Sequence, residues 1–365
     1  MPQLLAVAPA LPQHRYSQAE LTEALVPIIG VHGAQEQLMR RIHAGCGVDQ
    51  RHLALPVEQY TELTDFGQSN DAFIAAAVDL GAAALTAALD RAQMAPDDID
   101  AVICTTITGL AVPSLEARIA ERVGLRSDVV RLPVVGLGCM AGAAGTARLQ
   151  DLLAARPTGV AALISVELCS LTVQRGDTSP ANLVASGLFG DGAGAVLAVG
   201  QHHERVRHDG DRGVGHDRGG DLGPQVVDSA SRQYAGTAEA MGWDVRPSGL
   251  RVVLGAEVPD LVRQHVGRDV AAFLAGHGLG IEDVGWWVCH PGGPKVIDSL
   301  ADALGLPHAA LAHTTESLRT VGNLSSASVL HILDAALSDR PEPRSLGLMM
   351  AMGPGFSLEL VLLEA

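Results

Sequence analysis

Basic residues are scarce in this chain of 365 residues. Lys and Arg together number 25 against 41 Asp and Glu, which gives a formal net charge of −16, and Lys295 is the single lysine. Nucleic acids and anionic membranes bind proteins through clusters of positive charge, so we expect neither as a partner.

Long apolar runs, a basic leader segment and paired cysteines are also missing. No run of 18 or more apolar residues occurs, which predicts no membrane-spanning helix and no stable membrane insertion. The N-terminus lacks a basic segment, so we interpret it as a first strand and loop instead of a signal peptide. The five cysteines form no Cys-x-x-Cys pair, and their odd number predicts neither a disulfide framework nor a zinc site. These features predict a cytoplasmic protein.

The chain has enough apolar residues, 47%, to bury a large core. They follow a helical period over residues 70–94 and form short strand-like runs at 99–106 and 160–166. Helices that alternate with buried strands predict an α/β fold.

Two parts of the chain repeat the same landmarks in the same order. Each has an acidic turn before an apolar strand, a tight glycine turn that opens a helix of small residues, and a buried strand followed by a second glycine turn. The spacing is far too long for a solenoid, so the pattern predicts two similar α/β halves about a pseudo-twofold axis. We assign the first half to residues 1–200, a polar linker loop to 201–223 and the second half to 224–365.

The linker loop is polar, rich in glycine and almost free of apolar residues. Its histidines and nearby aspartates raise the alternative of a metal site; they are His202, His203, His208 and His216. We favour a solvated loop and no metal, because no helix or strand pattern would hold these ligands in a fixed geometry.

Cys139 is the candidate nucleophile. It follows Gly138 in a strand–turn–helix pattern, with small residues after it that allow close approach of a substrate or of the other half. A helix N-terminus and a nearby imidazolium would favour its thiolate form. The alternative is a buried structural cysteine.

His290 and Asn323 are the candidate partners of Cys139. His290 ends a buried strand ahead of a Gly-Pro loop, and its N–H can stabilise an enolate or oxyanion, although it could also be a satisfied core histidine. Asn323 occupies the repeat position equivalent to Cys139; it is either an N-cap or an amide donor to a carbonyl oxygen. The repeat places all three at the junction of the halves, where sites commonly form.

Two glycine turns, at 190–194 and 353–355, do not complete a dinucleotide fingerprint. Neither leads into a helix with an acidic residue about 20 positions further on, so we interpret both as tight turns near the cavity.

Four motifs together resemble the chalcone synthase superfamily of type III polyketide synthases, over the chain from about Gln35 to its end. They are Gly138-Cys139-Met140-Ala141-Gly142, Leu188-Phe189-Gly190-Asp191-Gly192, His290-Pro291-Gly292-Gly293-Pro294 and Gly322-Asn323-Leu324-Ser325-Ser326-Ala327. The resemblance implies a thiolase-like αβαβα layered fold with two duplicated halves, and a homodimer.

The resemblance also implies a mechanism. Cys139 takes an acyl group from an acyl-CoA starter, while His290 and Asn323 polarise the malonyl-CoA carbonyl and stabilise the enolate formed on decarboxylation. The carbanion attacks the acyl group, and after several rounds the polyketide cyclises. Acyl-CoA and malonyl-CoA are substrates, and no metal or redox cofactor is needed.

Further site residues follow from the same family. Phe189 matches an aromatic gatekeeper near the CoA tunnel, and Arg41 matches a ligand of the CoA phosphates. Additional basic candidates are Arg40, Arg51 and Lys295. Candidate cavity-lining residues, for which core packing is the alternative, are Cys169, Thr172, Trp243, Val252 and Ser325.

Departures from plant members bear on the starter. Val252 stands where plant enzymes carry a second gatekeeper Phe, and the closing motif reads Ala351-Met352-Gly353-Pro354-Gly355. Within the family the chain looks most like bacterial alkylresorcinol and alkylpyrone synthases. Bacterial tetrahydroxynaphthalene synthases, which prime with malonyl, have Cys in place of Thr172. We therefore expect a fatty acyl starter and a resorcinol or pyrone product.

Other functions remain as alternatives. A type III synthase with a malonyl or aromatic starter would share every motif. A ketoacyl synthase of fatty-acid initiation shares the Cys/His/Asn set, but its His lies in a His-Gln-Ala-Asn run. A hydroxymethylglutaryl-type synthase needs a differently placed acidic base, and a non-catalytic lipid-binding relative usually loses one of the three residues.

Overall fold

The computed structural model describes residues 1–206 and 222–365. The strands are β1 (Gln3–Ala10), β2 (His14–Ser17), β3 (Gln50–Leu53), β4 (Ala101–Thr106), β5 (Val130–Val135), β6 (Val160–Leu168), β7 (Asp191–Val199), β8 (Gln225–Gln233), β9 (Met241–Arg246), β10 (Gly249–Leu254), β11 (Val284–Cys289), β12 (Leu346–Gly353) and β13 (Ser357–Glu364). The helices are α1 (Gln18–Ile29), α2 (Ala34–Gly45), α3 (Phe66–Ala92), α4 (Leu115–Val123), α5 (Ala141–Ala154), α6 (Pro180–Leu188), α7 (Val258–Ala275), α8 (Pro294–Leu304), α9 (Ala312–Val321) and α10 (Ser328–Ser338).

Capping residues define the ends of several helices. Ser17 and Glu20 form a reciprocal capping box at the start of α1, and Gly30 ends that helix in a left-handed conformation. Asp65 caps α3 by accepting a hydrogen bond from the backbone N–H of Gln68. A cap of this kind contributes about 1 kcal/mol.

The duplication predicted from the sequence is present in the sheet. Within the described ranges, one sheet has the order β11-β12-β13-β8-β1-β7-β6-β4-β5. β4 is parallel to β6, which is antiparallel to β7, which is antiparallel to β1. In the second half β11 is parallel to β12, and antiparallel pairs follow from β12 to β13 and from β13 to β8. The same pairing therefore occurs twice, and the halves meet where β1 pairs with β8.

The helices and the sheet form five layers, and three clusters of buried apolar residues lie between them. The outer face of the first half packs on α1, α3 and α4, and the outer face of the second half packs on α7 and α8. The inner faces of both halves share a third cluster with α5 and α10, which include Ala143 and Val329. This αβαβα arrangement is the thiolase-like fold that the sequence resemblance implied.

The two central helices touch at equivalent positions of the repeat. Gly142 lies three residues after Cys139, and Ser326 lies three residues after Asn323. A Cβ added to Gly142 would lie only 2.2 Å from the backbone oxygen of Ser326. Only glycine allows this approach, and the contact places the starts of the two helices at the pseudo-twofold axis.

Helix α3 is the one described helix that is long and apolar enough to cross a membrane. Its buried side chains, which include Phe73, Ala77 and Leu85, lie in the first core cluster. We therefore assign α3 as a core helix.

The predicted linker loop is described only at its ends. Residues 201–206 form turns and β8 begins at Gln225, while His208 and His216 lie outside the described residues. Within the described part of the chain, no group of three or more His, Cys, Asp or Glu residues could hold a metal ion.

Candidate active site

Cys139 lies in the 3₁₀ turn Gly138–Met140, between the end of β5 and the start of α5. Gly138 has a φ of +54°, and a Cβ there would lie 2.6 Å from Cδ of Pro354. The turn thus requires glycine for both its backbone conformation and the close approach of the second half. Cys139 keeps partial exposure at the N-terminal end of α5.

Burial, a hydrogen bond and a nearby carboxyl group act on the pKa of the Cys139 thiol. Burial among protein atoms raises its pKa to about 12; a hydrogen bond with Ser325 opposes the rise, and the carboxyl group of Glu167 adds to it. The expectation of a thiolate, favoured by the helix N-terminus and an imidazolium, stays a prediction. Burial shifts the pKa of the thiol in the opposite direction and keeps the imidazole of His290 uncharged.

His290 follows β11 and is fixed by its backbone N–H, which donates to the carbonyl oxygen of Met350 over 2.9 Å. The residue is only 2% exposed, and burial lowers the pKa of its imidazole to about 3. His290 is therefore neutral near pH 7. Its Nδ1 is buried without a hydrogen-bond partner among the described residues. A neutral imidazole can still stabilise a developing oxyanion through an N–H group.

Asn323 has its side-chain amide fixed from within its own turn. Oδ1 accepts a hydrogen bond from the backbone N–H of Ser325 over 2.8 Å, which leaves Nδ2 facing Nε2 of His290 at 3.4 Å. Ser325 has a φ of +51°, a left-handed conformation that is costly for serine. Strain of this kind is typical of functional sites. The structure thus brings Asn323 and His290 together as adjacent polar groups.

Glu167 is a site residue that the sequence interpretation did not single out. It lies on β6, is fully buried and has its pKa raised by burial. One carboxyl oxygen accepts from the backbone N–H of Ile107 at 3.1 Å and from the hydroxyl of Thr108 at 2.9 Å. The other oxygen accepts from the hydroxyls of Ser325 and Ser326. An acidic residue within an apolar strand was the feature that could have revealed it.

A cavity opens beside the first half of the site. Three of the five residues predicted to line a cavity do so, namely Cys169, Thr172 and Val252, and the predicted gatekeeper Phe189 lines it as well. Cys169 lies near enough to Cys139 for the two thiols to interact electrostatically. The remaining wall is mixed, with the apolar side chains Leu21, Leu25, Leu53, Val57 and Val173 and the polar side chains Arg51, Tyr60, Ser170, Asn182 and Ser186.

The other two predicted cavity residues lie elsewhere. Trp243 is half-buried on β9 and pairs in register with Val252 on β10, outside the lining of this cavity. Ser325 lies beside the candidate nucleophile instead, where it contacts Glu167 and Cys139.

The basic residues predicted as candidates for CoA binding differ in their exposure and in whether they already pair with acidic residues. Arg41, on α2, and Lys295, in the first turn of α8, are exposed. The loop after α2 meets the start of α8, because a Cβ on Gly47 would lie 3.1 Å from Cγ of Pro294. Arg40 is engaged in ion pairs with Glu23 and Glu36.

Arg51 is buried in the wall of the cavity and is engaged within the protein. It is only 3% exposed, and its guanidinium donates to Gln18 and to the carbonyl oxygen of Phe189. Arg51 was a further candidate for CoA binding, with an exposed structural charge as the alternative, and its burial and internal hydrogen bonds fit neither. Sequence alone does not distinguish a buried arginine from a surface arginine.

Sequence profiles of two families match the chain. The profile of the FAE1/Type III polyketide synthase-like proteins matches residues 11–209, and that of the chalcone and stilbene synthases, C-terminal domain, matches residues 225–365.

Individual proteins are similar over almost the whole chain. A 1,3,6,8-tetrahydroxynaphthalene synthase of Streptomyces peucetius subsp. caesius is 52% identical over 98% of this chain and 92% of its own length. A putative chalcone synthase of Bacillus subtilis (strain 168) is 34% identical over 86% of this chain and 85% of its own. The crystal structure of 1,3,6,8-tetrahydroxynaphthalene synthase from Streptomyces coelicolor A3(2) superposes with a TM-score of 0.89 at 28% identity, covering 99% of both chains.

Proposed function

Because the chain belongs to the type III polyketide synthases of the chalcone and stilbene synthase superfamily, acyltransferases that condense with decarboxylation, we propose that it forms 1,3,6,8-tetrahydroxynaphthalene from malonyl-CoA. The observation that carries this proposal is the 52% identity with the Streptomyces peucetius synthase across 98% of the chain. Synthases of this product prime with malonyl. The proposal therefore replaces the fatty acyl starter that the sequence motifs had favoured.

The polar side chains in the wall of the cavity do not separate the possible starters. The donors of Ser170, Asn182 and Ser186 are already bound within the protein, to the carboxylate of Asp191, to the carbonyl oxygens of Gln174 and Asp177, and to the carbonyl oxygen of Leu183. A polyketide and an alkyl chain would meet the same satisfied wall, so the proposal rests on the sequence identity.

A fatty acyl starter, with a resorcinol or pyrone product, is the second candidate. Leu21, Leu25 and Leu53 form an apolar part of the same cavity, and Val252 is smaller than a Phe would be. These side chains would accept an alkyl chain if the cavity lengthened.

Product analysis separates the two candidates. Purified enzyme is incubated with malonyl-CoA alone and with malonyl-CoA plus starters from acetyl through aromatic to long-chain acyl-CoA, and products are identified by mass spectrometry. Tetrahydroxynaphthalene from malonyl-CoA alone supports the proposal. Alkylresorcinols or alkylpyrones from long-chain starters, with no product from malonyl-CoA alone, would support the second candidate and overturn the first.

The proposed mechanism follows from the geometry of the site. Sγ of Cys139 attacks the starter thioester, a thioester bond to Cys139 forms, and CoA leaves as its thiol. The malonyl thioester oxygen is then bound by Nδ2 of Asn323 and the imidazole of His290. Loss of CO₂ leaves an enolate on that oxygen, which these groups stabilise. Its α-carbon attacks the acyl carbonyl, and Cys139 is released as a thiolate.

The CoA phosphates are assigned to the surface between α2 and α8. Arg41 and Lys295 are exposed on these adjoining elements, and the N-terminus of α8 adds a partial positive charge. Arg41→Gln and Lys295→Gln should each raise KM for malonyl-CoA without lowering kcat.

The enzyme is proposed to act as a homodimer through the free edge of β5. Val130, Leu132 and Val135 on this edge strand are 38%, 39% and 54% exposed, and Val112, in the loop after the neighbouring strand β4, is 94% exposed. An apolar strand edge is a template for pairing with a second copy. Light scattering should give a dimer that Leu132→Asp weakens, whereas Val245→Asp, at another exposed apolar side chain, should not. A monomeric wild-type protein at micromolar concentration would refute this assembly.

No metal or redox cofactor takes part in the proposed reaction, which we place in the cytoplasm. Product formation should be unchanged after dialysis against EDTA. Loss of activity that returned on adding a metal would contradict the mechanism.

A further inference from the structure

Three consecutive backbone carbonyls at the end of α6 are each held by a different part of the chain. The oxygen of Gly187 accepts from Nε2 of Gln18 at 2.7 Å, and that of Leu188 accepts from the backbone N–H of Asn323 at 2.9 Å. The oxygen of Phe189 accepts from Nη1 of Arg51 at 2.7 Å. These carbonyls therefore link the N-terminal segment, the first half and the turn that carries Asn323.

Arg51 and Gln18 are hydrogen-bonded to each other, and each also binds one of these three carbonyl oxygens. Nε of Arg51 donates to Oε1 of Gln18 at 3.1 Å, while Nε2 of Gln18 donates to Gly187. Arg51 is 3% exposed and Gln18 is 8% exposed, so neither group can exchange these contacts for water. The pair therefore holds the carbonyl oxygens of Gly187 and Phe189, while the oxygen of Leu188 between them accepts from the backbone of Asn323.

The stem of Arg51 also packs against the turn of Asn323. A Cβ on Gly322 would lie 3.0 Å from Cγ of Arg51 and 2.9 Å from the oxygen of Leu188. Gly322 has a φ of +75°, so the turn is confined by its backbone conformation and by the arginine.

Asn323 is bound to the same segment from its other side. The backbone N–H of Gly190 donates to the oxygen of Asn323 at 3.0 Å, which completes a parallel bridge between Phe189 and Asn323. The amide of Asn323 faces Nε2 of His290 at 3.4 Å, so a shift of the bridge moves that amide relative to the imidazole.

We propose that Arg51, braced by Gln18, is a positioning residue that sets the amide of Asn323 for decarboxylation of malonyl-CoA. The guanidinium fixes the Phe189 carbonyl, the carbonyl row fixes the backbone of Asn323, and that backbone fixes Nδ2. The inference concerns the extender, so it holds whichever starter the enzyme takes.

Two partial reactions test this role. Decarboxylation of malonyl-CoA requires Nδ2 of Asn323, whereas acylation of Cys139 by a starter does not. Arg51→Gln should lower kcat for decarboxylation by roughly 10- to 100-fold, the cost of misplacing a catalytic group by about 1 Å. KM for malonyl-CoA and the rate of Cys139 acylation should stay within about twofold of wild type. Arg51→Lys should recover part of the lost kcat.

Gln18→Ala provides a second variant in case Arg51→Gln does not fold. It removes the brace while leaving Arg51 in place, and decarboxylation should again fall more than acylation. Arg122→Gln, at an exposed arginine ion-paired with Asp79, is the matched control and should leave both rates unchanged. If decarboxylation and acylation fell in parallel with the folded fraction, the role would be only structural. A raised KM with unchanged kcat would assign Arg51 to CoA binding and overturn the inference.

Discussion

Nδ2 of Asn323 lies 3.4 Å from Nε2 of His290, although the two residues are separated by 33 positions in the chain. The turn after β11 supplies the imidazole, and the turn before α10 supplies the amide. Both belong to the second half of the duplication, while Cys139 comes from the first. In the proposed mechanism the first half therefore supplies the acyl carrier, and the second half supplies the groups that stabilise the enolate.

Replacement of Asn323 by Asp tests the amide directly. Asn323→Asp keeps the oxygen that accepts from Ser325 but removes the Nδ2 donor. Decarboxylation of malonyl-CoA should fall about 10²- to 10³-fold, as expected for loss of an oxyanion donor. Carbon dioxide release measures this step, and acylation of Cys139 by a radiolabelled starter serves as the internal control. Unchanged decarboxylation would remove Asn323 from the mechanism.

The carboxyl group of Glu167 should restrain the reactivity of Cys139. It raises the pKa of the thiol, so Glu167→Gln should lower that pKa and increase the thiolate fraction at any pH below it. Alkylation by iodoacetamide between pH 8 and 9.5, followed at the Cys139 peptide by mass spectrometry, should be faster in the variant. In both proteins the rate should rise with pH across this range. An equal or slower rate in Glu167→Gln would contradict the electrostatic assignment.

The contact between the central helices should make Gly142 intolerant of a side chain. Gly142→Ala places a Cβ against the backbone oxygen of Ser326, so the helices must separate at the axis. We expect a loss of about 1–3 kcal/mol in the free energy of unfolding, measured by urea denaturation. Gly45→Ala is the control, since no atom outside its own neighbours lies within 4 Å of that position. Equal stability of the two variants would show that the helices are not closely packed.

Replacement of Cys139 should remove the condensation activity without unfolding the protein. Cys139→Ala should abolish condensation and leave the thermal unfolding midpoint within a few degrees of wild type, because the side chain keeps partial exposure. Mass spectrometry measures product formation, and circular dichroism measures the thermal unfolding midpoint. Full activity in Cys139→Ala would exclude it as the acyl carrier.

The duplication was predictable because both halves use the same local chemistry. The acidic turn, the apolar strand ending in Cys104 or Cys289, and the glycine turn before Cys139 or Asn323 are all local patterns. Because the two halves share this local pattern, their strands pair in the same way, and the strand order of the sheet shows the repeat.

Long-range contacts were less accessible from the sequence. Arg51 looked like a surface charge, because its partners Gln18 and Phe189 lie 33 and 138 positions away. Glu167 was missed for the same reason, since its hydroxyl donors come from two other segments. The protonation state of Cys139 depends on burial, which residue spacing does not reveal.

The most direct test of the account is to locate the acyl group on the enzyme. Wild-type protein and Cys139→Ala are incubated with an acyl-CoA starter, quenched in acid, digested and analysed by mass spectrometry. We predict an acyl adduct on the Cys139 peptide of the wild type and no adduct on any cysteine peptide of the variant. An adduct on Cys169 or another cysteine, or polyketide formation by Cys139→Ala, would contradict the central claim that Cys139 carries the growing chain.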